Sequence, residues 1–172
     1  MGQALRFTTV RIGVLRVAMD DQVFESDVRV LLASDGAYRL LDAGLSEPLS
    51  SIEDAVARAE ASVPEAPRVV STLAWRDGHA PSPGEHPCPI CGEPARTSPR
   101  HPRRLCPACV MEAADAGGRW LRFGNTHLSG GIEARYADDG SLHAGLDCLV
   151  RGVRCRAVEG KFGGVVLQPM AD

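Results

Sequence analysis

Apolar and polar residues alternate along the first third of the chain, which is the pattern of half-buried β-strands. Over residues 4–19 the alternation changes phase between Val14 and Leu15. A phase change inside one apolar run is typical of an extra residue in a strand. The pattern therefore predicts one long strand with a bulge near residues 13–15.

Three shorter runs indicate further strands. Alternation returns at 28–32 and at 38–41, and the turn-forming sequence Ser34-Asp35-Gly36 between them predicts a hairpin. A fourth strand is predicted over 69–75, where β-branched residues and Trp75 follow two prolines.

A helical period separates these strands. Apolar residues recur every three or four positions from Ile52 to Val63, and Pro64 ends the run. Ser50 and Glu53 have the spacing of a capping box, so we expect the helix to begin there. Residues 1–76 are therefore predicted to form a β-β-β-α-β unit of the α+β class, with the helix packed on one face of the sheet.

The rest of the chain is predicted to be mainly β. Residues 77–87 have the Pro- and Gly-rich composition of a linker. A short helix is predicted over 110–116, where Gly117-Gly118 would end it, and a strand over 120–123. Apolar runs separated by turn signals then predict an antiparallel β-meander over 119–172, with strands near 131–137, 146–150, 153–158 and 165–168.

The strongest chemical signal is a pair of cysteine pairs. Cys88 and Cys91 are followed, after fourteen residues, by Cys106 and Cys109, a C-x2-C-x14-C-x2-C pattern. Two thiolates at this spacing can turn around one cation, and two such turns supply four soft ligands at about 2.3 Å. Zinc is the preferred ion, and iron or a pair of disulfides is the alternative. Four sulfur ligands leave no position for water, so we expect one structural zinc ion and no catalytic role for it.

This segment resembles the treble-clef and zinc-ribbon modules, in which a CxxC knuckle and a second CxxC pair hold one zinc ion. The second pair leads directly into the predicted helix, which favours the treble clef, whereas a ribbon would place it in another hairpin. Together with its β-rich tail, the segment is similar to uncharacterised small bacterial proteins, and that resemblance implies no function. The predicted organisation is an acidic α+β domain at 1–76, a linker at 77–87, a zinc module at 88–118 and the meander packed on that module.

Two further cysteines, Cys148 and Cys155, lie in the tail. If Arg151-Gly152 forms a two-residue turn, these cysteines pair across a hairpin and share a face with Val150. Small apolar core residues, a second metal site with His127 or His143, and a cross-strand disulfide all remain open for them.

Charge is distributed unevenly along the chain. The whole sequence has a net charge of −3, but residues 1–85 hold 8 arginines against 13 acidic residues. Four arginines lie inside the cysteine loop, where they would contact phosphates or offset the negative charge of the thiolates: Arg96, Arg100, Arg103 and Arg104. No catalytic or cofactor-binding constellation is recognised, although an enzyme with its site between the two predicted units, using His127, His143 or Cys148, is an open alternative.

These observations favour a non-catalytic bacterial zinc protein that acts by protein–protein recognition, as an adaptor or an immunity-type inhibitor. Nucleic-acid binding through the arginine loop is the second hypothesis. No apolar run approaches the roughly 18 residues of a membrane span, and the first residues lack the features of a signal peptide. We therefore expect a cytoplasmic protein without a membrane partner.

Overall fold

The computed structural model describes residues 5–42, 44–78, 81–127, 130–160 and 164–171. The chain divides into two compact units, Leu5–His79 (the N-terminal unit) and Ala80–Asp172 (the C-terminal unit). Strands predominate in both, and every sheet in the described part of the chain is antiparallel. Neither of the two helices described has the length and apolarity that crossing a membrane requires.

Within the described part of the N-terminal unit there are four strands and one helix, in the order that the hydrophobic pattern predicts. The elements are β1 (Phe7–Met19), β2 (Gln22–Ala33), β3 (Tyr38–Leu41), α1 (Ile52–Ala61) and β4 (Val69–Asp77). The strands lie in the spatial order β3-β2-β1-β4, so β1 and β2 are central and β4 forms an edge. Helix α1 packs on one face of this sheet through Ala55 and Ala59, against Val28, Val30 and Leu40.

The predicted bulge in β1 is misplaced. The register with β2 shifts between Thr9 and Arg11, so the extra residue is Val10 and pairing is regular through residues 13–15. The change of phase in the hydrophobic pattern has another cause. Strand β1 buries apolar side chains on both of its faces, so the consecutive residues Val14 and Leu15 are both half-buried. Gly13 lies on the helix-covered face, where a Cβ atom would come within 2.8 Å of Leu73 and 3.0 Å of Trp75.

The helix begins one residue later than the capping-box spacing predicts. Ser51, not Ser50, is the N-cap, and its hydroxyl accepts a hydrogen bond from the Asp54 amide at 3.0 Å. Glu53 and Asp54 lie in the first turn, where carboxylates interact favourably with the helix dipole.

The described residues of the C-terminal unit form one short helix and three small sheets. The first sheet is the hairpin of β5 (Glu85–Pro87) and β6 (Pro94–Arg96), which is followed by helix α2 (Pro107–Met111). The second consists of β7 (Leu121–His127), β8 (Gly130–Tyr136) and β9 (Leu142–His143), and the third of β10 (Asp147–Val150), β11 (Val153–Glu159) and β12 (Val165–Pro169). The predicted meander is therefore divided into two separate three-stranded sheets, and the linker prediction overlaps β5.

The helix predicted over 110–116 is wrong in both bounds. Helix α2 starts at Pro107, whose fixed φ angle suits a first helical position, and Cys106 is its N-cap. It ends at Met111 because Ala114 leaves the helical path to exchange two backbone hydrogen bonds with Leu149, at 2.9 and 2.8 Å. A long-range pairing thus overrides the local helical pattern.

The hairpin predicted around Arg151-Gly152 is confirmed. Both residues have positive φ angles, 50° and 81°, as a two-residue turn of this kind requires. Cys148 pairs with Cys155, and Val150 pairs with Val153. The two cysteines are buried and free, so they occupy core positions in this sheet.

Candidate metal centre

The first cysteine pair lies in the tight turn that joins β5 to β6. The Cys88 amide donates to the Glu93 carbonyl at 2.7 Å, and the Gly92 amide donates to the Cys88 carbonyl at 2.8 Å. Gly92 has a φ of 80°, a conformation that glycine adopts without steric cost. The C-x2-C-G sequence therefore folds locally into a knuckle that turns both sulfurs to one side.

The second pair lies at the start of α2. The Cys106 sulfur caps the helix by accepting from the Cys109 amide at 3.5 Å, and Cys109 lies within the helix. The Cys106 amide in turn donates to the sulfur of Cys88 at 3.4 Å. Backbone amides that point at sulfur stabilise the thiolate form, which is the form that binds metals.

The two pairs meet as one cluster. The sulfurs of Cys88, Cys91, Cys106 and Cys109 all lie within 4.8 Å of one another, and those of Cys91 and Cys106 are 3.5 Å apart. Sulfurs that surround a tetrahedral ion at about 2.3 Å are separated by about 3.8 Å. All four cysteines are free and three are buried, so the cluster could hold one metal ion without any disulfide being broken. This arrangement is consistent with a CxxC…CxxC zinc module.

The crowded sulfurs perturb one another's protonation. Hydrogen bonding with Cys106 and then with Cys88 raises the pKa of Cys109. Hydrogen bonding from Cys106 and then from Cys109 lowers the pKa of Cys88. Four thiolates side by side would repel, and a divalent cation at their centre would remove that repulsion.

An ion pair adjoins the cluster. Arg151, in the β10–β11 turn, donates two hydrogen bonds of 2.8 Å to the Glu112 carboxylate at the end of α2. The hydrogen bonds to Glu112 raise the pKa of Arg151, and the charges of Cys109 and Cys91 add to that effect. The guanidinium thus lies close enough to the site to offset part of the negative charge of the thiolates. No local sequence pattern predicts this pair, because the two residues are 39 positions apart.

The third sheet, β10–β12, packs beside the site. The Leu105 amide, next to Cys106, donates to the Leu167 carbonyl at 2.9 Å. Burial raises the pKa of Cys155 to about 11, and the charge of Cys88 contributes. Burial likewise raises the pKa of Cys148 to about 12, with a contribution from Cys155. Both thiols are therefore protonated near neutral pH.

The four arginines of the cysteine loop are not equivalent. Arg96 ends β6 opposite Glu85, and both Arg96 and Arg104 interact with other groups of the protein. The Arg104 carbonyl also lies 3.1 Å from His86 Nε2. Arg96, Arg100 and Arg103 are exposed and Arg104 is half-buried; since Arg96 is engaged within the protein, Arg100 and Arg103 are the stronger candidates for a phosphate contact. That all four contact an anion stays a prediction.

The residues of the enzyme hypothesis are dispersed among the described strands. His127 is exposed at the end of β7, His143 lies on β9, and Cys148 is buried in β10. A buried thiol with a raised pKa is a poor nucleophile.

His143 belongs instead to a polar chain that the sequence did not indicate. The Tyr136 hydroxyl donates to Asp115 Oδ2 at 3.1 Å, and His143 Nδ1 lies 3.0 Å from the same hydroxyl. Arg119 stacks on the Tyr136 ring at 3.7 Å and binds Asp138. These contacts connect the loop after α2 to the β8–β9 hairpin.

Comparison of the chain with protein-family models, with curated proteins and with solved structures finds no match.

Proposed function

We propose that the four-cysteine cluster binds one zinc ion and that this ion is structural. The observation that carries the proposal is the closed set of four sulfurs, two from the β5–β6 turn and two from the start of α2. Four thiolates favour zinc over harder cations such as magnesium and calcium, and they leave no coordination position for water or substrate. The ion would fix the β5–β6 turn to the start of α2.

The local architecture supports a treble clef rather than a zinc ribbon. One cysteine pair lies in a hairpin turn, and the other pair caps and enters a helix, whereas a ribbon uses two hairpins. Helix α2 has only five residues, so the module is a short form of that arrangement.

We further propose that the protein acts by recognising another protein, as an adaptor or an inhibitor, in the cytoplasm of a bacterium. A saturated metal site supplies rigidity rather than chemistry, and the buried Cys148 thiol is unsuited to catalysis. Residues 1–85 hold 13 acidic residues against 8 arginines, which favours a partner with a basic surface.

Native mass spectrometry with metal analysis tests the zinc proposal on the full chain purified without added metal. We expect one zinc ion per chain, lost on chelation and absent from Cys88→Ser. The matched control is the double variant Cys148→Ser, Cys155→Ser, which should retain one zinc ion. Two metal ions per chain, iron, or a disulfide between site cysteines would contradict the proposal.

Nucleic-acid binding is separated from protein recognition by the salt dependence of binding. A protein that grips phosphates through Arg100 and Arg103 would bind single-stranded DNA at low salt, and affinity would fall steeply as salt rises. We expect no such binding, and no difference between the natural chain and the variant with both arginines replaced by alanine. Salt-sensitive binding that this variant loses would replace the protein-recognition proposal with the nucleic-acid one.

A further inference from the structure

Helix α1 covers only part of the sheet face on which it packs. Its buried residues Ala55 and Ala59 lie over Val28 and Val30 of β2. Ser26, two positions nearer the β1–β2 turn on the same face, is exposed. Ser26, Val28 and Val30 share a face because alternate residues of a strand point to the same side. Helix α1 therefore does not cover the part of this face near Ser26 and the β1–β2 turn.

A cleft opens where the helix ends. It has a volume of about 340 Å³ and lies between the last turn of α1 and the sheet. Leu15 and Leu73, which pair across β1 and β4, contribute to its lining from the sheet, and Ala59 and Val63 contribute from the helix side. The lining thus contains aliphatic side chains from both layers.

The same sheet face carries further apolar side chains beyond the cleft, together with the polar Ser71 and Gln22. Val17 pairs with Phe24, and Met19 pairs with Val69. Val17 and Met19 lie two and four positions after Leu15 on β1, so these four side chains lie on the same face of the sheet as Leu15. Phe24 is 51% exposed and Met19 is 44% exposed. From Leu15 to Met19 the strand extends this groove by about 14 Å, the length of about nine helical residues.

Acidic residues predominate around this groove. The β1–β2 turn carries Asp20 and Asp21, and the last turn of α1 and the segments on either side of the helix add three more exposed carboxylates: Glu60, Asp42 and Glu65. Arg58 and Arg68 are the arginines of these segments, so carboxylates outnumber them. A partner that inserts apolar side chains here would gain favourable charge interactions from flanking lysines or arginines.

We propose that this groove, lined by Leu15, Val17, Met19, Phe24 and Leu73, binds a basic amphipathic helix of a partner protein. The helix would continue the layer that α1 begins, with its apolar stripe on the sheet and its cations toward the acidic rim. The inference rests on the proposed role in protein recognition and assigns the surface and the class of partner. Phe24 is the central anchor, since large exposed aromatic side chains dominate such contacts.

Fluorescence anisotropy with synthetic peptides tests the proposal on the zinc-loaded full chain. The first peptide is a helix former of about 14 residues with leucines at helical spacing and flanking arginines. The second replaces the arginines by glutamates, and the third has the first composition in scrambled order. We expect saturable binding of the first peptide, with affinity weaker by about tenfold or more for the other two.

Two single variants locate the binding surface. Phe24→Ser should weaken binding of the arginine peptide by about tenfold or more. Val70→Ser is the matched control: Val70 is 67% exposed at the same end of the sheet but faces the opposite side, so this variant should bind like the natural chain. Thermal denaturation of both variants checks that each is folded.

Several outcomes would overturn the groove proposal. They are absence of saturable binding, equal binding of the glutamate or scrambled peptide, equal effects of the two variants, and a dimer in sedimentation velocity that Phe24→Ser dissociates. The last result would assign the groove to a second copy of the chain. Zinc is counted in the same samples, so failure of the groove with one zinc per chain leaves the metal proposal standing.

Discussion

The ion pair of Glu112 and Arg151 shows how much one long-range contact contributes at the scale of single residues. The Glu112 side chain is 5% exposed and the Arg151 side chain 24% exposed, and two hydrogen bonds join them. A buried carboxylate that loses its partner keeps its desolvation cost without compensation. The pair also connects the end of α2 to the β10–β11 turn, next to the cysteine cluster.

Arg151→Ala should therefore lower the free energy of unfolding by about 2–4 kcal/mol, somewhat less than for a fully buried pair. Arg154→Ala is the control on the same hairpin, because Arg154 is exposed, and it should change stability by less than about 0.5 kcal/mol. Denaturant titration of the zinc-loaded chain measures both. Equal effects of the two substitutions would mean that the ion pair contributes little.

The thiols of Cys148 and Cys155 should be nearly inert in the folded protein. Burial raises their pKa values to about 12 and about 11, so the reactive thiolate is scarce at mildly alkaline pH. We expect alkylation about a hundredfold slower, or more, than for an unperturbed cysteine. Mass spectrometry of the zinc-loaded chain during iodoacetamide treatment measures the rates, and the denatured chain, in which all six cysteines react, is the control. Rapid alkylation of Cys148 in the folded chain would argue against its buried core position.

At the scale of elements, local and long-range interactions compete for the ends of each helix. Helix α1 starts where Ser51 caps it, although Ser50 has the spacing of a capping box. Helix α2 stops at Met111 because the chain beyond it pairs with Leu149. Capping is decided by backbone angles at one residue, and those angles depend on how the preceding loop meets the sheet.

Ser51→Ala should destabilise the protein by about 1 kcal/mol, the usual cost of removing an N-cap side chain. Ser50→Ala, at the neighbouring exposed position, should alter stability by less than about 0.5 kcal/mol. Thermal or denaturant unfolding of the two variants distinguishes them directly. The capping-box prediction would be restored if Ser50→Ala proved the more damaging change.

At the scale of the whole molecule, the two units have cores of different kinds. The N-terminal unit buries Phe7, Ile12 and Leu31, whereas the C-terminal unit buries many alanines and cysteines. Small side chains remove little apolar surface from water, so the region around the cysteines gains less hydrophobic stabilisation. A metal ion would supply what this small core lacks.

Chelation should therefore act unevenly along the chain. Hydrogen exchange measured with and without chelator should show loss of amide protection in β5, β6 and α2, while the centre of β1 and β2 remains protected. Zinc that is added back should restore the protection. Uniform deprotection of both units, or no change in either, would contradict a structural ion confined to the C-terminal unit.

The sequence by itself determined the features that depend on neighbouring residues. Alternation specified the strands of the N-terminal unit, although it missed the first six residues of β2, Arg151-Gly152 specified a hairpin, and the C-x2-C spacing specified two cysteine pairs that can each turn around one ion. Periodicity and turn chemistry act over a few residues, so they can be derived from the chain order.

Only the tertiary structure decided which distant groups meet. It placed the bulge at Val10, divided the tail into two sheets, paired Glu112 with Arg151 and left Phe24 exposed beyond the end of α1. Each of these outcomes depends on many weak contacts between residues that are far apart in sequence. A local pattern does not specify those contacts, because the same alternation or helical period is compatible with many ways of packing the elements together.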